Sequence, residues 1–285
     1  MACSAVIVAY KSGSVIDACL QSLGGIDDIV VVDNAADEAL RQRPGIRYIR
    51  NAENLGFGRG CNTGVAAAKH DLVLLVNPDA VLEPGALDTL LAAARTYPEA
   101  ALLMPAILNA DGHAEPSHDA GLFEKRAMPK RQGEPEPEGD LCANFLSGAV
   151  LLLRKPAFEA IGGFDPNIFM YFEDDDLSLR LRQAGHALVR VNAARARHIG
   201  GGSSGPSDAV LRFKQWHFAW SRLYIERKFN GAAAAWRHGL PMLLKRASKA
   251  LLYSLAGKRQ KALRDAALAR GFWLYLRGEK PPTKL

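Results

Sequence analysis

The sequence predicts an α/β protein: an open, mostly parallel sheet flanked by helices, followed by a basic helical tail. Three observations carry that prediction. Apolar runs without alternation at residues 29–32 (Ile-Val-Val-Val) and 72–76 (Leu-Val-Leu-Leu-Val) read as strands buried on both faces. Helix-length stretches separate the runs, the spacing that parallel crossovers require. Charge is divided: residues 1–210 hold 19 Lys/Arg against 27 Asp/Glu, whereas residues 211–285 hold 17 against three, with all four tryptophans. A net of −8 followed by +14 describes an acidic body and a basic tail with different tasks.

In chain order, residues 4–9 form a first strand and 15–23 a helix; 29–32 is the second strand, ending in Asp33-Asn34, and 46–50 a third. A glycine-rich run, Asn51 to Gly64, leads into a helix at 65–69. The strand at 72–76 stops at Asn77-Pro78-Asp79, Pro84 opens a helix over 85–96, and a strand follows at 100–104. Residues 109–141 break the pattern with the Asp111-Gly112 turn and a solvated, mobile Pro/Glu loop at 133–139; His113 and His118 there read as surface residues. A buried strand resumes at 145–153. Glu173-Asp174-Asp175-Asp176 then opens an amphipathic helix, with Leu177, Leu181 and Ala184 on one face and Gly185 as its stop. A strand at 187–191 and a Gly/Ser-rich loop from His198 follow, and from residue 209 the chain is helical, with interruptions at Asn230-Gly231 and Pro241.

In open α/β sheets ligands bind beyond the carboxyl ends of the strands. Asp33, the run from Asn54 to Asn62, and Asn77 to Asp79 lie at such ends. Gly56-x-Gly58-x-Gly60 lacks the spacing and first-strand position of a dinucleotide fingerprint, but its glycines allow close approach of backbone to a ligand before a helix N-terminus that suits an anion. Asn77-Pro78-Asp79 reads either as a turn or as a place where a carboxylate holds Mg²⁺ or Mn²⁺ beside a diphosphate. A helix dipole accommodates acids at its N-terminus, yet four in a row repel one another, which points to carboxylates held as a base or near a cation. His198 is either a loop residue or a further metal ligand. The cysteines Cys3, Cys19, Cys61 and Cys142 lack metal spacing and read as reduced and structural. The start of the chain lacks the basic flank and cleavage site of a signal peptide, and no apolar run reaches the ~20 residues of a membrane span, so a cytoplasmic protein is expected. The tail fits amphipathic helices on an anionic membrane surface better than nucleic acid, with a basic bundle packed on the body as the plainer alternative.

Together these stretches resemble the family-2 glycosyltransferases of GT-A fold, in particular their bacterial rhamnosyltransferase-like branch. The matching pieces are Val6 to Tyr10, Val31-Val32-Asp33-Asn34, Asn51-x-x-Asn54-Leu55-Gly56-Phe57-Gly58, Val76-Asn77-Pro78-Asp79, Ser147-Gly148-Ala149, Gly162-Gly163-Phe164-Asp165, the run from Phe169 to Leu177, and His198 with Gly202-Ser203. The resemblance implies a GT-A domain at 1–208, with a Rossmann-like nucleotide-sugar half (1–105) and an acceptor half (106–208), before the tail at 209–285. It implies that Tyr10 and Asp33 contact the nucleobase and that Asn54, Gly56, Phe57 and Asn62 line the nucleoside and phosphates, with Asn77 and Asp79 at the diphosphate. Asp79 and His198 would be metal ligands, Asn77 replacing the first acid of a DxD-type motif. Asp174 would be the catalytic base, supported by Glu173 and Asp176. Lys11 stands where the family usually has Asn, which reshapes the base pocket. The implied activity is inverting, metal-dependent transfer of a sugar, L-rhamnose foremost, from a nucleoside-diphosphate donor such as dTDP-rhamnose. The acceptor would be a hydroxyl of a saccharide or lipid-linked saccharide in cell-surface polysaccharide synthesis, on the inner face of the cytoplasmic membrane. A sugar-phosphate nucleotidyltransferase, of which Tyr10-Lys11-Ser12-Gly13 is a thin signature, and a non-catalytic nucleotide- or membrane-binding module are the alternatives.

Overall fold

A computed structural model describes residues 1–114, 122–123, 137–198 and 207–284. The expectations for His118, for residues 133–136 and for Gly202-Ser203 lie outside the described residues. The chain divides into two compact units, Met1–Asp165 with Asp174–Ser203, and Pro166–Glu173 with Ser204–Leu285.

The first unit opens with β1 (Ser4–Ala9), α1 (Ile16–Ser22), β2 (Asp28–Asp33), α2 (Glu38–Arg41) and β3 (Arg47–Arg50), then α3 (Phe57–Ala67) and β4 (Leu72–Val76). It continues through β5 (Ala80–Leu82), α4 (Ala86–Thr96), β6 (Ala100–Leu108), β7 (Leu141–Cys142), β8 (Val150–Arg154), α5 (Lys155–Ala160), α6 (Glu173–Gln183) and β9 (Ala187–His198). The first residue of α6, Glu173, belongs to the second unit. Among the described residues all nine strands form one sheet, ordered β3-β2-β1-β4-β8-β6-β9-β5, with β7 beside β9. Every residue of β1, β4 and β6 is buried, as their continuous apolar runs require.

The sheet is mixed. It is parallel from β3 to β4, as expected from the βαβ spacing, and β8 then runs antiparallel to β4 and β6. That reversal matters for function. Val76 at the end of β4 lies opposite Val150 at the start of β8. Residues 147–149 therefore arrive at the same sheet edge as the carboxyl ends of β1, β2 and β4. β9, parallel to β6, is longer than the 187–191 expected, because a register shift at Pro105/Ala106 lets it continue and pair with β5, where Ala80 faces His198.

Two expectations are corrected. The helix expected at 65–69 begins at Phe57, so Gly58, Gly60 and Gly64 lie inside it. A Cβ on Gly60 would stand 2.7 Å from Val8 Cγ1, and one on Gly64 would stand 2.2 Å from Val6 Cγ1. Gly60 and Gly64 let α3 press against β1. Pro241 lies inside α8 (Ala232–Leu255) and does not interrupt it. Gly239 packs on Leu223, and Met242 and Leu243 pack on the same cluster, so contacts on both sides of the proline keep one helix despite the lost N–H.

The acid-rich helix ends as its sequence implies. Gly185 takes φ +88, and the Gly185 and His186 N–H groups close on Arg182 O (3.0 Å) and Leu181 O (3.0 Å).

The second unit consists of α7 (Asp208–Asn230), α8 and α9 (Arg259–Leu276), with residues 166–173. A Cβ on Gly271 of α9 would lie 2.4 Å from Trp216 O of α7, so a small residue permits that close crossing. Phe169 stacks on His217, ring centroids 4.6 Å apart, and the Ser221 hydroxyl donates to Met170 O at 2.9 Å. The Tyr171 and Phe172 rings both meet Phe218, and both residues hold positive φ values, 69 and 66, that bulky side chains rarely adopt.

Two stability predictions follow from this packing. Gly64→Ala should cost about 1–3 kcal/mol in urea unfolding, and Val6→Ala in the same chain should recover part of the loss, since the clash is with Val6. Burial holds the His217 imidazole down to about 4 despite its hydrogen bond to Pro282 O, so the folded unit binds fewer protons than the unfolded chain below pH ~6.5. Its stability should fall as pH drops from ~6.5 towards ~4, by up to roughly 3 kcal/mol, and His217→Gln should flatten that part of the profile in denaturation measured against pH.

Candidate active site

At the end of β2 the chain turns sharply, and the turn is built by its own side chains. Asp33 is wholly buried and accepts from Ala35 N (2.7 Å), Asp37 N (2.5 Å) and the Tyr48 hydroxyl (2.7 Å). Burial, and the Asp33 carboxylate beside it, push the Tyr48 phenol up to about 12, so it stays a donor. Asn34 ties this turn to the next loop. Its Nδ2 donates to Gly56 O (3.1 Å), while its Oδ1 accepts from Asn51 Nδ2 (2.8 Å) and Leu55 N (3.4 Å). Asn54 Oδ1 accepts from Gly56 N (3.0 Å), and Gly56 itself sits at φ +81 before the first turn of α3. Tyr10, half-buried at the end of β1, has the Lys11 ammonium 5.5 Å over its ring, with Lys11 at φ +53.

The segment before β8 connects this edge to the acids. Asn77 N donates to Ala149 O at 2.9 Å, and Gly148 N donates to Asp174 Oδ2 at 3.1 Å. Gly148 runs close against both neighbours: a Cβ there would stand in van der Waals contact with Phe57 Cε1 (3.4 Å) and Asp174 Cβ (3.8 Å). On the other side of Asn77, the His198 Nε2 atom lies 3.4 Å from Asn77 Nδ2 and 3.3 Å from Asp79 Oδ1. Asp79 is buried and His198 partly exposed, so the pair opens outward from a buried floor. Beneath, burial and the Asp79 charge push the Cys19 thiol up to about 12, and this protonated Sγ faces Asn77 O at 3.5 Å. One carboxylate, one imidazole and one amide suit Mg²⁺ or, with the imidazole, Mn²⁺. Among the described residues no three His, Cys, Asp or Glu side chains form a complete cage. The residues fit a divalent ion that keeps open positions for other oxygens.

Along the start of α6 the acids have separate surroundings. Asp174 Oδ1 accepts from Asp175 N (3.1 Å), and Asp175 Oδ1 accepts from Leu122 N (2.7 Å). Asp176 is wholly buried and accepts from Arg180 Nε (2.7 Å), while that guanidinium also donates to Ile161 O (2.9 Å) and Gly163 O (2.7 Å). Asp176 thus anchors the Gly162-Gly163 turn below the site. Glu173 belongs to the second unit.

The structure brings Phe57, Asn77, Asp79, Asp174 and His198 into one connected set through Gly148 and Ala149, with Gly56 joined to the Asp33-Asn34 turn. Asn62 is not in it: both ends of its amide are bonded to Phe164, Nδ2 to O at 2.8 Å and Oδ1 to N at 2.9 Å. Three contributors were not singled out from sequence as site residues. Asn34 was readable as the polar residue ending a buried strand beside Asp33; Gly148 needed the direction of β8; Arg180, one helical turn after Asp176, carried the i,i+4 signal of an ion pair.

Comparison with known proteins identifies the family. Residues 2–222 match the model of the family described as glycosyltransferase-like family 2. The N-acetylglucosaminyl-diphospho-decaprenol L-rhamnosyltransferase of Mycobacterium tuberculosis is 32% identical over 240 residues, 72% of this chain and 78% of that protein. The rhamnosyltransferase WbbL of Escherichia coli K12 is 27% identical over 78% of this chain and 92% of its own length. The solved mannosyltransferase of Pyrobaculum calidifontis, in complex with GDP-Man and Mn²⁺, superposes with a TM-score of 0.59 at 14% identity, covering 98% of this chain and 88% of that one, and so shares the GT-A fold. With its sheet edge, its acid-headed helix and these relatives, the chain belongs to glycosyltransferase family 2 and is a glycosyltransferase.

Proposed function

We propose that the enzyme transfers L-rhamnose, with inversion, from a nucleoside-diphosphate donor (dTDP-rhamnose foremost) to a hydroxyl of a lipid-linked saccharide. The observation that carries this reading is the two-residue link Gly148-Ala149, which binds the Asp174 carboxylate with one residue and the Asn77 backbone, next to Asp79 and His198, with the other. A base and a diphosphate-side carboxylate held by adjacent residues are what a single displacement needs. The names of the mycobacterial and E. coli relatives support rhamnose, and the former supports an N-acetylglucosaminyl-diphospho-polyprenol acceptor.

Asp174 receives N–H donors on both oxygens, contacts that orient the carboxylate. That carboxylate takes the proton of the acceptor hydroxyl as the hydroxyl oxygen attacks the anomeric carbon from the face opposite the diphosphate. The new C–O bond forms as the bond to the diphosphate oxygen breaks, and the nucleoside diphosphate leaves. Tyr10 and the Asp33-Asn34 turn lie where the base and nucleoside would rest. Gly56 and Phe57 connect that end to Gly148. Asp79 and His198 would hold Mg²⁺ or Mn²⁺, which when bound neutralises charge on the leaving diphosphate. Asp176 acts at one remove, fixing the helix that carries Asp174.

Nucleotide release from dTDP-rhamnose and from UDP- and GDP-sugars, with the polyprenyl-linked acceptor, tests the reading. Turnover of dTDP-rhamnose above the others is expected, and preference for another donor would replace rhamnose. Asp174→Asn should lower kcat by about 10²–10⁴-fold while nucleotide affinity, measured by calorimetry, is retained. Loss of nucleotide binding in that variant would remove Asp174 from the base role. Asp79→Asn should weaken donor binding in the presence of Mn²⁺ and make that binding insensitive to EDTA; an unchanged EDTA effect would place the metal elsewhere.

A further inference from the structure

The second unit carries an apolar surface that the transfer reaction does not use. Of the eight large hydrophobic side chains exposed among the described residues, six lie on α8, too concentrated for ordinary scatter. Trp236, Leu240, Leu244, Leu251 and Leu255 follow one another at steps of four, four, seven and four residues, which places them along one stripe of the helix. Their exposures run from 45% at Leu240 to 78% at Leu255. The opposite side of α8 is buried at Ala234, Ala235 and Gly239. Arg237 lies at the edge of the stripe and the exposed Lys245 on its flank, and α8 contains no Asp or Glu in its 24 residues.

We propose that this face of α8 lies flat on an anionic lipid bilayer, leucines and Trp236 among the upper acyl chains and the cations at the headgroups. At 1.5 Å per residue the stripe from Trp236 to Leu255 is roughly 29 Å long. No helix among the described residues is long and apolar enough to cross a membrane, so the mode is attachment in the interface plane. Charge selects the occupant. A second copy would bring the same acid-free, cationic helix against this one, repelling where a lipid phosphate attracts. Nucleic acid would answer the cations and leave the exposed leucines without a partner. The attachment does not depend on the identity of donor or acceptor.

The test is flotation of the full chain with vesicles of phosphatidylcholine alone, or with about one-third phosphatidylglycerol, in the absence of donor and acceptor. The protein should float with the anionic vesicles, Trp emission shifting to the blue. Leu240→Gln/Leu244→Gln/Leu251→Gln should lower that binding about tenfold or more with an unchanged thermal transition, because all three side chains are solvent-exposed. Arg237→Gln/Lys245→Gln should lower the preference for anionic over neutral vesicles. The proposal is overturned if the unsubstituted chain stays unbound, or if the leucine variant binds as well as it does. It is equally overturned if sedimentation shows a soluble dimer that the leucine variant dissolves while vesicles go unbound. Because nucleotide release is measured separately, failure here leaves the transferase reading standing, and failure there leaves this one.

Discussion

Two backbone groups on adjacent residues hold the active region together. The Gly148 N–H donates to Asp174, and the Ala149 carbonyl accepts from Asn77. Neither belongs to a sheet ladder, since β8 starts only at Val150, so both are free to serve the site. A Cβ at residue 148 would touch Phe57 on one side (3.4 Å) and Asp174 on the other (3.8 Å), so the link passes between the two side chains. Everything else in the first unit can be seen as delivering partners to these two residues. The parallel strands deliver Asn77 and the Asp33 turn, the reversal of β8 delivers the link itself, and the acid-headed helix delivers Asp174.

The mixed sheet is therefore what brings the link and Asn77 together. In an all-parallel sheet the chain entering β8 would arrive at the opposite edge, one strand length away from β4's carboxyl end. Running β8 antiparallel puts its entry beside Asn77. The same logic applies to β9. Parallel to β6 and antiparallel to β5, it ends where β5 begins, and its last residue, His198, faces Ala80, next in sequence to Asp79. A histidine 119 positions from an aspartate in sequence is brought to 3.3 Å by two strand pairings.

Much of this was legible in the sequence, and what was not has identifiable causes. The buried strands announced themselves because strands covered on both faces lose alternation, and their polar ends (Asp33-Asn34, Asn77 to Asp79) stood out against that background. The C-terminal stop at Gly185 was equally plain. Strand direction was not: β8 looks the same read either way, so the reversal had no signature. β5 was missed because three residues carry no period. The beginning of α3 was misread because glycine is the poorest helix former after proline, and Gly58, Gly60 and Gly64 mask a helix whose reason is external, the close approach of Phe164, Val8 and Val6 respectively. Pro241 misled in the mirror sense, a local breaker overridden by packing on both sides. In each case tertiary contact outweighed local propensity.

The four acids that open α6 show how a repulsive sequence becomes a specific one. Successive residues on a helix point about 100° apart, so neighbours in sequence face different surroundings. Asp176 turns inward and meets Arg180, whose guanidinium also takes two carbonyls of the 161–163 turn. Asp175 turns towards the backbone N–H of Leu122. Asp174 turns towards Gly148, and its second oxygen is held by the N–H of the next residue. A buried carboxylate on a full guanidinium is a structural anchor, because moving a proton to or from it would cost the ion pair. A carboxylate held by amide N–H groups at a helix start is oriented by neutral donors instead of by a countercharge. Like charges in sequence are thus sorted by geometry into different electrostatic settings. The setting of Asp174, beside the residue that holds Asn77, is the one that the proposed role of base calls for.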